Sequence, residues 1–171
     1  MTGELTTSGR AERGEPVDSD IDLHEPAHRT ELARSHGAIL VVIALGGALG
    51  ALARYGLARL WPTPPGGFPW ATFLTNVLGC FLIGVLMVLV TELWSAHPLV
   101  RPFLGVGVLG GFTTFSTYAN DIRALLTPGT IVTAFVYFGL TLLCALSATL
   151  IAVRFTRWAH AATRRPGRGR A

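Results

Sequence analysis

Gly110-Gly111-Phe112-Thr113-Thr114-Phe115-Ser116-Thr117-Tyr118 is a polar interruption inside an apolar run, and its reading decides the fold. Gly105, Gly107, Gly110 and Gly111 lead into five hydroxyl-bearing residues, Thr113, Thr114, Ser116, Thr117 and Tyr118. A continuous helix satisfies its own backbone in lipid, whereas Gly-Gly followed by Thr-Thr invites local unwinding. Unwound backbone at membrane depth is tolerated only where protein buries it or a polar cavity receives it. Its freed carbonyls are then ligands for a hard cation such as sodium. The other reading is close packing, because Gly, Ser and Thr are common contacts between membrane helices. Composition alone leaves the two level. The density of hydroxyls that follows favours a functional break.

Outward from this stretch, the chain holds four apolar runs, at about residues 38–61, 70–93, 102–126 and 130–155. Each is long enough for a bilayer core of roughly 30 Å at about 1.5 Å per helical residue. Half of the 171 residues are hydrophobic and only 14% are charged, so one soluble domain could not hide four such runs. Trp61 and Trp70 flank the Pro62–Pro69 loop, where indoles suit the headgroup interface. Thr127-Pro128-Gly129 reads as a turn. The expected fold is an all-α integral membrane protein of four transmembrane helices with a break in the third.

Charge is unevenly placed. Residues 1–37 carry eight acids against four Arg and no hydrophobic period, which predicts a disordered cytoplasmic extension rather than a secretory signal. The rest of the chain has ten Arg against only Glu92 and Asp121. Six of those Arg lie in or beside a basic tail, residues 156–171, which places both termini in the cytoplasm of a multi-pass plasma-membrane protein. No aromatic residues interleave with a basic stripe, so nucleic acid is not an expected partner. Cys80 and Cys144 lie in apolar runs without metal-ligand spacing and read as small helix-contact residues. No catalytic triad, paired carboxylates or phosphate loop occurs in the apolar region, so the chain does not read as an enzyme.

Several side chains carry candidate chemistry. Phe112, Phe115 and Tyr118 recur every three residues and are expected on one helical face, where ring edges can turn towards an anion or simply pack. Thr72 and Asn76 are spaced i, i+4 in the second run, and the Asn76 carboxamide offers two N–H donors to a pore or to a neighbouring helix. Arg54 can snorkel to the interface or make a vestibule positive. Tyr137 and Thr141, again i, i+4, extend a hydroxyl track in the fourth run, whereas Ser147 and Thr149 suit packing.

Three blocks in order resemble the Fluc or CrcB family of fluoride channels, over roughly His36 to Arg154. They are Gly46-Gly47-Ala48-Leu49-Gly50-Ala51-Leu52-Ala53-Arg54-Tyr55, Thr72-Phe73-Leu74-Thr75-Asn76-Val77-Leu78-Gly79-Cys80-Phe81, and Gly107 through Tyr118. The resemblance implies a dimer of antiparallel subunits with passive, fluoride-selective pores that relieve fluoride toxicity. It implies a structural, untransported Na+ at the dimer centre, held by the backbone carbonyls of Gly110 and Thr113. It puts Asn76, Phe115, Ser116, Thr117, Tyr118, Thr72, Tyr137 and Thr141 along the anion pore and Arg54 at the vestibule. Fluoride is small and strongly hydrated, so close donors must replace its water while leaving it free to escape.

Two departures from the family pattern carry expectations of their own. Tyr118 stands where Phe is usual, putting a phenol near the pore, and conduction is expected to survive at a reduced rate. Asp121, where Glu is usual, adds no expectation, and the second departure is charge. The basic tail predicts one preferred orientation, so a heterodimer with an oppositely biased homologous subunit competes with a dual-topology homodimer. The rival from another class is a small proton-coupled multidrug exporter of the short four-helix type, but the first run lacks the deep acid that it needs.

Overall fold

In the computed structural model, which describes residues 26–93 and 97–163, every regular element is helical. Helix α1 spans Pro26–Leu60, α2 Trp70–Val88, α3 Gly110–Phe112, α4 Phe115–Leu125 and α5 Ile131–Thr163. Two π-helical stretches, Leu89–Leu93 and Arg101–Leu109, continue α2 and precede α3. Among the described residues, three segments are long and apolar enough to cross a membrane: Gly37–Leu60, Trp70–Glu92 and Ile131–Thr163. Only 11%, 28% and 17% of their most apolar windows are buried within the chain. Leu45, Leu49 and Leu52 of α1 and Leu143, Leu146 and Ile151 of α5 are among the large apolar side chains left outside, which suits a protein solvated by lipid.

The expected spans shift at their edges. Helix α1 begins at Pro26, before residue 38, and α5 runs past 155 to Thr163, into the basic tail. The remainder of the acidic extension, residues 1–25, and of the tail, residues 164–171, lie outside the described residues. The third expected span, 102–126, is not one helix. It is π-helical to Leu109, α-helical for one turn, extended at Thr113 and Thr114, and α-helical again to Leu125. Polar and glycine-rich residues replace the apolar periodicity that makes its neighbours continuous.

Contacts set the directions. Phe68 meets Tyr137 with ring centroids 5.2 Å apart, Thr149 Oγ1 donates to the Cys80 carbonyl at 3.1 Å, and Glu92 pairs with Arg157, so α2 and α5 run parallel. Tyr118 reaches the Phe138 carbonyl and Asp121 faces Tyr137, so α4 runs antiparallel to α5. Helix α1 runs parallel to the interrupted segment at backbone contact. A Cβ on Gly46 would stand 2.5 Å from the Phe103 carbonyl oxygen and 3.0 Å from Gly107 Cα, and one on Gly50 would collide with the Val108 carbonyl. With no side chain there, dispersion and weak polar contacts between backbones replace ordinary packing.

The buried core gathers where α4 meets α5. Tyr118, Leu125, Ala134 and Tyr137 are its centre, with Phe68, Phe73 and Ile122 against it. Tight connections bring the elements there. Gly66 and Gly129 take φ of 72° and 95°, the left-handed backbone open to glycine, and Thr130 Oγ1 donates to the Leu125 carbonyl at 2.8 Å to close the second turn.

Candidate functional site

Thr113 (φ −72°, ψ 158°) and Thr114 (φ −151°, ψ 124°) form an extended pair between α3 and α4. Such a pair drops out of the helical ladder, so its polar groups need partners from elsewhere. Asn76 on α2 supplies two of them. Its Nδ2 donates to the Thr114 carbonyl at 3.0 Å, and its Oδ1 accepts from the Thr114 amide at 2.9 Å. Because only an oxygen can accept from that amide, the carboxamide's orientation is fixed by the bond. Gly79, one turn further along α2, lets Thr113 approach: a Cβ there would collide with Thr113 Cγ2.

Other groups complete the ring around the break. Thr114 caps α4, its Oγ1 accepting from the Thr117 amide at 3.1 Å and bonding the Thr117 and Ser116 hydroxyls at 3.0 and 3.3 Å. The Thr113 hydroxyl and amide both donate to the Leu109 carbonyl, each at 3.0 Å. From α1, Arg54 Nε donates to the Gly111 carbonyl at 3.2 Å, a charge-assisted bond in a half-buried place. Arg54 is therefore tied to the break itself.

Beyond the break the hydroxyl track turns inward. The Tyr118 phenol is buried, and its O–H donates to the Phe138 carbonyl at 2.7 Å. Tyr137 is fully buried, donates to Asp121 Oδ2 at 3.4 Å, and packs its ring 5.3 Å from that of Tyr118. Thr72 lies against both Asp121 and Tyr137. Thr141, one turn along α5 from Tyr137, is 3% exposed, and its Oγ1 has no hydrogen-bond partner among the described residues. A buried hydroxyl without a partner is costly unless something binds it.

The relatives of this chain can now be set beside that geometry. A family profile described as "CrcB-like protein, Camphor Resistance (CrcB)" matches residues 41–153. The chain belongs to the CrcB family. "Fluoride-specific ion channel FluC 2" of Nocardia farcinica is 59% identical over 128 residues, covering 75% of this chain and 91% of that protein. "Fluoride-specific ion channel FluC 2" of Streptomyces avermitilis is 54% identical over 129 residues, covering 75% and 80% respectively. "Fluoride-specific ion channel FluC" of Rhodospirillum centenum is 39% identical over 127 residues, covering 72% of this chain and 98% of that one.

Within this CrcB-family chain the candidates divide into two groups. Asn76, Arg54, Gly110, Thr113, Ser116 and Thr117 lie at or beside the break, and Thr72, Tyr118 and Tyr137 converge on the buried core with Thr141 one turn beyond. The expected single face of Phe112, Phe115 and Tyr118 does not form. The break separates Phe112 from the other two, and along α4 Phe115 is 77% exposed while Tyr118 is 3% exposed. Their rings still lie 6.0 Å apart. The Tyr118 hydroxyl faces a backbone carbonyl on α5.

Sequence reasoning missed three features. Thr114 as the cap of α4 was available in its spacing to Thr117. The Gly46/Gly50 contact with Phe103–Val108 left only a small-residue pattern. The bifurcated bond of Arg157 Nε–H to both Glu92 oxygens, at 2.9 and 3.1 Å, joins residues far apart in the chain and left no local signal.

Proposed function

We propose that this chain is a subunit of a fluoride-selective channel, and not an enzyme, through which fluoride leaves the cytoplasm passively. One observation carries the reading: an extended Thr113-Thr114 pair, clamped by Asn76, opens onto hydroxyls and aromatic rings inside an otherwise apolar bundle. The relatives' names point the same way. Fluoride needs short, replaceable donors in place of water. The second N–H of Asn76, the hydroxyls of Ser116, Thr117, Thr72, Tyr137 and Thr141, and the ring edges of Phe115 and Tyr118 supply them in this account. The buried Thr141 hydroxyl, without a partner among the described residues, supports a polar subsite there. Arg54 contributes positive potential at the entrance.

Two chains in antiparallel orientation complete the assembly in this reading. Gly110 is exposed on its own chain, and the extended Thr113 turns its carbonyl off the helical ladder. Both are hard oxygen donors, the chemistry a structural sodium ion requires. One chain offers two such carbonyls, and two chains around an axis offer a set large enough to replace the ion's water. The exposed Phe115 ring stands beside that face and is shared across it.

The Arg-rich end of α5 gives the subunit one preferred orientation in the plasma membrane, with its termini in the cytoplasm. Its partner is then either an inverted copy or a homologous subunit of opposite bias. Streptomyces avermitilis carries relatives named FluC 2 and FluC 3, consistent with paired genes. Expression in a fluoride-hypersensitive bacterium tests the function. Restored growth on fluoride by this chain alone is the result expected of a homodimer, and restoration only with a homologous partner is that of a pair. Failure under both conditions, with the protein in the membrane, contradicts the proposal.

A further inference from the structure

The Asn76 carboxamide does more than close two stray backbone groups. In a continuous helix the Thr114 amide would bond the Gly110 carbonyl, and the Thr117 amide would bond the Thr113 carbonyl. Both amides are diverted. Thr114 N–H donates to Asn76 Oδ1 at 2.9 Å, and Thr117 N–H donates to Thr114 Oγ1 at 3.1 Å. The Thr113 amide, the remaining donor near Gly110, is spent on the Leu109 carbonyl at 3.0 Å. The carbonyls of Gly110 and Thr113 are therefore among those, from Gly110 to Thr113, that lose their helical partners, while Arg54 takes the Gly111 carbonyl and Asn76 the Thr114 carbonyl. The second Asn76 bond, to the Thr114 carbonyl at 3.0 Å, keeps the diverted peptide from swinging back.

We infer that Asn76 and Thr114 are positioning residues for a cation site, holding away the amides that would otherwise cap the Gly110 and Thr113 carbonyls. The inference rests on the proposed sodium role and deepens it. It gives Asn76 a duty distinct from lining an anion path, and it couples the anion path to the cation site through one side chain. A merely structural clamp would stabilise the fold equally with or without the cation. A positioning clamp sets how much cation is needed.

The test is a sodium titration of the purified full-length protein, with N-methylglucamine keeping ionic strength constant. It reads both the thermal unfolding midpoint and the fluoride efflux rate after reconstitution. For the parent, sodium raises the unfolding midpoint saturably. Asn76→Ala and Thr114→Ala shift the half-saturating sodium concentration upward by about tenfold or more, while Thr114→Ser, which keeps the capping oxygen, restores the parent value. Thr114→Ala leaves Asn76 in place, so it also reports if Asn76→Ala does not fold. A parent that responds to sodium beside variants with an unchanged half-saturation overturns this inference alone. A parent that conducts fluoride but shows no sodium response overturns the sodium reading and this inference with it.

Discussion

The α2–α5 pair and the interrupted segment from Arg101 to Leu125 solve the same problem in opposite ways. Helices α2 and α5 are continuous and apolar, satisfy their own backbones, and meet through small residues with few cross-links, such as Thr149 to the Cys80 carbonyl. The interrupted segment leaves its ladder at Thr113-Thr114 and borrows partners from two neighbours: Arg54 of α1 holds Gly111, and Asn76 of α2 holds Thr114. Away from Thr72, Asn76, Tyr137 and Thr141, the first region can be altered with little consequence for chemistry. The second concentrates polar backbone, hydroxyls and rings in one place, at the cost of depending on side chains far away in sequence.

That contrast can be broken most severely where α1 touches the interrupted segment. Gly50→Ala forces a methyl into the Val108 carbonyl and must separate two backbones, so it is expected to destabilise the chain by about 3 kcal/mol or more. Unfolding of the variant in detergent measures this, and parent-like stability would show that the seam is looser than described. Tyr118→Phe removes only the bond to the Phe138 carbonyl, an expected loss of about 1 kcal/mol. Fluoride efflux should persist in both proteins and rise modestly in the variant; an inactive parent and an active variant would mean that the phenol blocks the path.

The continuous pair should respond less. Thr149→Val loses the hydroxyl that bonds both Cys80 and Ala145 carbonyls, at 3.1 Å each. Helical backbone bonds remain, so the expected cost is about 0.6 kcal/mol with fluoride efflux unchanged. Smallest of all is Glu92→Gln, which removes an exposed ion pair with Arg157. Its unfolding midpoint should match the parent within replicate scatter at physiological salt. A clear drop would assign that end of the bundle a stabilising role.

The same contrast governs what could be read from the sequence. The runs of α1, α2 and α5 are legible because length and apolarity alone make a membrane helix, and the Gly-Gly-Phe-Thr-Thr stretch announces that a third such run is disturbed. Where the disturbance would be repaired is not legible. Asn76 and Thr114 stand 38 residues apart, and nothing in either neighbourhood names the other. The three-residue spacing of Phe112, Phe115 and Tyr118 misleads because it assumes a helix across the very residues that break it. The π-helical Arg101–Leu109 stretch has no sequence period of its own, and its glycines fit either a break or a close contact. Here Gly107 makes the contact with α1 and Gly105 faces Leu86 of α2, while the break comes at the threonines.

Fluoride efflux from liposomes containing the purified chain, in sodium and with chloride as the control ion, tests the central claim most directly. Rapid fluoride loss is expected, while chloride leaves no faster than from empty vesicles. No fluoride loss above empty vesicles, with the protein folded and inserted both ways, or chloride leaving as fast as fluoride, would contradict it.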